Sequence, residues 1–82
     1  LGLLYFEQEE YERAVEVFSQ GLRQAPGGVI LYRGLARAQD ALGRGRAALL
    51  SFQKYLQYAS VHPDVEERIR LRMRELKQGA KP

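Results

Sequence analysis

The sequence has no cysteine, which excludes a disulfide framework and any zinc or redox site built on thiolates. It has no threonine either, and no stretch rich in valine or isoleucine shows the alternation of apolar and polar residues that is typical of a strand. Its apolar runs are far shorter than the roughly 18 residues that a membrane-spanning helix needs. We therefore expect an all-α domain without membrane insertion. The compartment is left open, with a cytoplasmic location favoured.

Groups that carry out chemistry are scarce. His62 is the single histidine, and it lies in the turn before Pro63 with no nucleophile or orienting partner beside it. We interpret His62 as a loop or helix-cap residue. No set of His, Asp and Glu has metal-ligand spacing, and the segment 43–46 is too short for a phosphate-binding loop. The sequence predicts no enzyme, no metal site and no cofactor.

What the chain does contain is a succession of helix patterns. Apolar residues recur every three to four positions over 11–25, 29–42 and 47–59, after an apolar run at 1–6. A last helix is predicted to begin at Pro63, a favoured first helical position, and to stop at Gly79. Because the connections are short, neighbouring helices must be antiparallel.

Residues near the start of the chain recur later in the sequence at one constant offset, which we call the repeat period. Three residues recur at it: Leu1, Ala14 and Phe18 return as Leu35, Ala48 and Phe52. Gly2 returns as the similarly small Ala36. A fixed period of this size is typical of repeat solenoids, in which one unit cannot bury its apolar face alone. Such units bind other proteins more often than they carry out chemistry.

These residues resemble the tetratricopeptide repeat family. Its unit, about 34 residues long, consists of two antiparallel helices. The first helix has Leu-Gly and a following Tyr, and the second has a small residue, an aromatic, another small residue and a closing Pro. The matching positions are Leu1, Gly2, Tyr5, Ala14, Phe18, Gly21 and Pro26, and then Tyr32, Leu35, Ala36, Ala48 and Phe52. Gln39, Tyr55 and Ser60 depart from the pattern, so we expect the second unit to be the weaker one.

The resemblance implies antiparallel helix-turn-helix repeats stacked as a short right-handed α-solenoid. We assign repeat one to 1–26, repeat two to 27–60 and a capping helix to 63–78, within a single domain 1–82. Small residues let the helix axes approach closely, and aromatic residues fill the space between them. We also expect earlier repeats to precede Leu1, because roughly three units are needed for stability.

The resemblance further implies a concave groove lined by the first helix of each unit. Carried over by position, its lining is Leu3, Phe6, Glu7, Ile30, Arg33, Arg37, Asp40, Glu67, Leu71 and Arg74. Arg33 and Arg37 are four residues apart and share a face, where they could hold a partner's carboxylate. The alternative is that both are solvated and pair with Asp40. The asparagine-based carboxylate clamp of the chaperone-tail binders is not assigned, because the sequence has no asparagine.

We expect a protein-interaction module that binds a peptide or helix of another protein. The first alternative is a homo-oligomer, formed through an apolar edge of Leu3, Leu4 and Phe6. The second is nucleic-acid binding through Arg44, Arg46 and the arginines of the last helix, which is disfavoured because no aromatic residue interleaves with them. Arginine outnumbers lysine ten to three, which indicates a bacterial source.

Overall fold

The helices begin and end close to where the apolar periodicity places them. A computed structural model describes residues 2–25 and 28–79. Its helices are α1 (Gly2–Glu7), α2 (Tyr11–Gln24), α3 (Val29–Ala41), α4 (Gly45–Tyr58) and α5 (Pro63–Gly79). No strand occurs in these two ranges. Leu1 and Pro26, which the repeat pattern uses, lie outside the described residues.

Each helix packs against the next one along the chain, and α1 also contacts α3. The connections described between them span only a few residues, which is typical of antiparallel neighbours. The chain is therefore an all-α array of helix-turn-helix units, and the predicted fold class is confirmed.

The turns that join α1 to α2 and α3 to α4 have the same backbone geometry, one repeat apart. In each, two N–H groups reach back to carbonyls of the preceding helix. In the first turn, Glu9 donates to the carbonyl of Phe6 at 3.0 Å and Glu10 donates to that of Tyr5 at 2.9 Å. In the second turn, Gly43 donates to the carbonyl of Asp40 at 3.0 Å and Arg44 donates to that of Gln39 at 2.9 Å. This is the Schellman motif, which closes a helix with one left-handed residue. That residue is Glu9 (φ 60°) in the first turn and Gly43 (φ 76°) in the second.

Helix α4 begins earlier than the glycine-rich segment 43–46 indicates. The periodicity predicts a start at Ala47, whereas the helix starts at Gly45. The break is confined to the left-handed Gly43, because the carbonyl of Arg44 already accepts the N–H of Ala48 at 2.9 Å. Gly45 is therefore part of the first helical turn.

The hydrophobic core consists of two clusters that meet at α3. The first contains Ala14, Phe18, Leu35 and Ala38, and the second contains Ala36, Ala48, Phe52, Tyr55 and Ile69. Successive residues of a helix point about 100° apart, so the adjacent Leu35 and Ala36 enter different clusters. Helix α3 thus joins the first helical pair to α4 and α5.

The ring of Phe18 occupies space that glycines leave open. A Cβ on Gly2 would lie 2.7 Å from Cε1 of Phe18, and a Cβ on Gly34 would overlap the same ring. Gly2 fits the expectation that small residues let helices approach. Gly34, on α3, has the same role and was not identified from the sequence.

Two departures from the repeat pattern are accommodated in the second unit. Oε1 of Gln39 accepts a hydrogen bond at 2.7 Å from Oγ of Ser51, which is buried. Tyr55 is only 7% exposed and shares a core cluster with Ile69 of α5. Both side chains therefore take part in contacts between helices, although a large ring stands where the family has a small residue.

Candidate protein-interaction surface

One side of α3 carries residues spaced so that they share a face. They are Ile30, Arg33, Arg37 and Asp40, at intervals of three and four. Ile30 is 74% exposed, and both arginines are exposed as well. The neighbouring faces of α3 are buried in the two core clusters, whereas the side that carries Ile30, Arg33 and Arg37, which we call the α3 stripe, faces solvent.

Phe6 connects α1 to this stripe. The guanidinium carbon of Arg37 lies 4.5 Å from the centroid of the Phe6 ring, within cation–π range. The ring of Tyr11 meets Phe6 edge-on, with centroids 5.3 Å apart and an interplanar angle of 69°. Phe6 is therefore half-buried, whereas Leu3 and Leu4 are 62% and 51% exposed. The exposed apolar edge of α1 consists of the two leucines without Phe6.

Asp40 is bound to α5. Nε and Nη2 of Arg72 donate to the Asp40 carboxylate at 2.8 and 2.6 Å, and Nη1 donates to Glu75 at 3.2 Å. Hydrogen bonding to Asp40, and then to Glu75, raises the pKa of the Arg72 guanidinium above its usual value. Asp40 thus pairs with Arg72 and not with Arg33 or Arg37, and the pair links α3 to α5.

The guanidinium groups of the two arginines in the α3 stripe are not bound to carboxylates of the described part of the chain. Within residues 2–25 and 28–79, neither Arg33 nor Arg37 forms an ion pair. Glu7 is exposed at the end of α1. A guanidinium with free N–H groups can bind a carboxylate through two parallel hydrogen bonds.

The groove residues predicted on α5 lie in two separate depressions. Leu71 is 51% exposed and lines a depression of about 280 Å³ together with Asp64, Glu67 and Arg68. Arg74 lines another of about 240 Å³, which includes Leu49 and Gln53 of α4. The structure therefore does not bring Arg74 together with the α3 stripe.

The sequence did not reveal the roles of Arg72 and Tyr11. Arg72 lies 32 residues from Asp40, so helical spacing cannot pair them. Tyr11 contacts Phe6 across a turn, which periodicity does not describe. A usable signal existed for Gly34, because a glycine inside a helix pattern often marks close packing.

His62 caps the N-terminus of α5. Its Nδ1 accepts the backbone N–H of Asp64 at 3.1 Å, so the helix-cap interpretation is confirmed. Among the described residues, no three His, Cys, Asp or Glu side chains are grouped so that they could hold a metal ion. None of the helices described is both long enough and apolar enough to span a bilayer.

The helix pairs recur at the repeat period, and the hydrogen bonds of their turns recur with them. These features define a helix-turn-helix repeat protein. A family model described as Tetratricopeptide repeat matches residues 5–67. The chain belongs to the tetratricopeptide repeat family. No curated protein and no solved structure gives a significant match. Membership indicates a protein–protein interaction module in a family that is typically non-catalytic.

Proposed function

We propose that the chain binds a peptide or helix of another protein on one face of α1 and α3. This α1–α3 surface comprises Leu3, Phe6, Glu7, Ile30, Arg33 and Arg37. The observation that carries the proposal is the pairing of exposed apolar side chains with two arginines that form no ion pair in the described part of the chain. The partner segment would combine an acidic residue with apolar ones.

Arg37 is the residue best prepared for such a partner. The cation–π contact with Phe6 restrains the Arg37 side chain, and its guanidinium forms no ion pair within the described residues. Less side-chain entropy is then lost when a carboxylate binds. Phe6 therefore supports binding by restraining the Arg37 side chain, and it does not act as an exposed apolar contact.

The remaining predicted residues have other positions in the proposal. Asp40 is paired with Arg72 of α5, and Leu71 lies in a depression that is lined by residues of α5 alone. Arg74 belongs to a different cleft. We propose that repeats 1–26 and 27–60 and the helix 63–78 act as one scaffold, which works by binding and without catalysis.

Charge reversal at Arg33 and Arg37 tests this proposal. Peptides selected on the chain from a random phage-displayed library should combine acidic and apolar residues. The variant Arg33→Glu/Arg37→Glu should bind them about tenfold more weakly or worse, because two favourable charge contacts become repulsive. Fluorescence anisotropy measures the affinity, and circular dichroism should show unchanged helix content.

The matched control is Arg23→Glu/Lys54→Glu, which changes the net charge equally at exposed positions of α2 and α4. It should retain the affinity of the unmodified chain. Selected peptides that bind both double variants equally well would refute the α1–α3 surface as the binding site.

Self-association through α1 is a second candidate, favoured by the exposure of Leu3 and Leu4. Light scattering over a concentration series should then show a dimer that dissociates on dilution. Leu4→Glu should abolish the dimer, because a buried charge would be left unpaired. Leu50→Glu, at a leucine that is 62% exposed on α4, should leave it intact. A monomer at every concentration would exclude this candidate.

A further inference from the structure

We propose that the cleft between α4 and α5 is a second docking site, and that it takes an acidic amphipathic helix of a partner protein. The cleft has a volume of about 240 Å³, and its lining residues are Leu49, Gln53, Arg70, Met73, Arg74 and Lys77. None of these residues belongs to the α1–α3 surface, so the inference goes beyond the function proposed above.

The cleft combines an apolar floor with a positively charged rim. Leu49 and Met73 are half-buried and supply the floor, while Arg74 and Lys77 are exposed. Neither Arg74 nor Lys77 forms an ion pair within the described ranges. Arg70 bonds Glu66 of its own helix at 3.1 Å. The site therefore offers cations without carboxylate partners beside apolar surface.

The internal repeat indicates the shape of the occupant. A shift by one repeat period maps Arg70 and Met73 of α5 onto Ala36 and Gln39 of α3. On α3 a helix covers this face, because Ala36 shares a core cluster with residues of α4 and Gln39 is bonded to Ser51 of α4. On α5, Met73 still packs against the second core cluster, whereas no helix within the described residues covers Arg70, whose side chain is 60% exposed.

The charge of this face sets the chemistry of the occupant. Arg70 stands where the repeat has Ala36, and Arg74 stands where it has the acidic Asp40, so the face on α5 is cationic where its counterpart on α3 is not. A helix that covers it must place carboxylates against these cations and apolar side chains against the floor. Nucleic acid fits less well, because the lining residues include no aromatic ring for base stacking.

The test uses the full chain and a fluorescein-labelled peptide of glutamate and leucine whose leucines recur at helical spacing. Fluorescence anisotropy should show saturable binding that weakens as salt is added. Arg74→Glu/Lys77→Glu should lower the affinity about tenfold or more through charge repulsion. A peptide of the same composition with its leucines spread around the helix should bind more weakly.

Matched variants separate this inference from the proposed function. Arg23→Glu/Lys54→Glu should bind the probe as the unmodified chain does, and circular dichroism should show that all variants are folded. Loss of binding only in Arg33→Glu/Arg37→Glu would place the probe on the α1–α3 surface and overturn the inference while supporting the proposed function. Absence of saturable binding, or tighter binding of a DNA oligonucleotide through Arg74 and Lys77, would also overturn it.

Discussion

Phe18 shows how single residues set the spacing of the helices. The ring belongs to α2, is 5% exposed, and reaches toward Gly2 of α1 and Gly34 of α3. Both neighbours lack a Cβ, and one added at either position would lie closer to the ring atoms than van der Waals contact allows. The size of one aromatic residue is thus matched to two glycines on different helices.

Gly34→Ala should destabilise the chain by about 1–3 kcal/mol, because the added methyl group overpacks the core against Phe18. Gly45→Ala provides the matched control. A Cβ there would lie 3.8 Å from the Leu76 side chain, so the better helix propensity of alanine should dominate and leave stability unchanged or raised by up to about 1 kcal/mol. Urea unfolding followed by circular dichroism measures both. Equal effects at the two positions would contradict the packing at Phe18.

At the scale of elements, the two Schellman turns are equivalent in backbone and different in sequence. The left-handed position holds Gly43 in the second turn and Glu9 in the first. A left-handed conformation costs a residue with a side chain roughly 1–2 kcal/mol, whereas glycine adopts it readily. The hydrogen bonds and packing of the first turn therefore hold Glu9 in a left-handed conformation that a residue with a side chain disfavours.

Glu9→Gly should stabilise the chain by about 0.5–1 kcal/mol, since relief of the left-handed strain exceeds the entropy that glycine adds to the unfolded state. Gly43→Ala should have the opposite effect at the equivalent position, where a Cβ would meet no neighbour but φ stays positive. The midpoints of thermal unfolding check both changes. A lower midpoint for Glu9→Gly would show that Glu9 contributes interactions that outweigh its backbone cost.

At the scale of the molecule, the apolar core contributes more than the ion pairs between distant segments. Arg44 pairs with Glu12, and Arg72 pairs with Asp40, each across 32 residues. Exposed pairs of this kind contribute about 0–1 kcal/mol each. The docking of α5 must therefore rest chiefly on Ile69 and the partly buried apolar residues beside it, which pack against the second core cluster.

Ile69→Ala should cost about 2–4 kcal/mol, because Ile69 is 8% exposed and its removal leaves a cavity between α4 and α5. Ile30→Ala makes the same chemical change at a residue that is 74% exposed, and it should alter stability by less than about 0.5 kcal/mol. Urea unfolding of the two variants measures the difference. A small effect at Ile69 would mean that α5 is not an integral part of the folded unit.

The proposed surface was only partly accessible to sequence reasoning. The spacing of Arg33 and Arg37 correctly placed both on the exposed side of α3. The contact of Arg37 with Phe6 and the bond of Asp40 to Arg72 join different helices, so no spacing within one helix could have predicted them. The position of Arg74 beside α4 likewise depends on how α5 is rotated against its neighbour.

The approximate helix bounds, the repeat period and the family could be read from the sequence, because they depend on apolar periodicity and on turn residues that act locally. The tertiary structure alone decided three further features: the partner of Asp40, the burial of Phe6 and the cleft that contains Arg74. These features depend on the rotation and crossing of packed helices. Ridge-into-groove packing allows several such arrangements for the same apolar stripe, so the side chains of all five helices together select one.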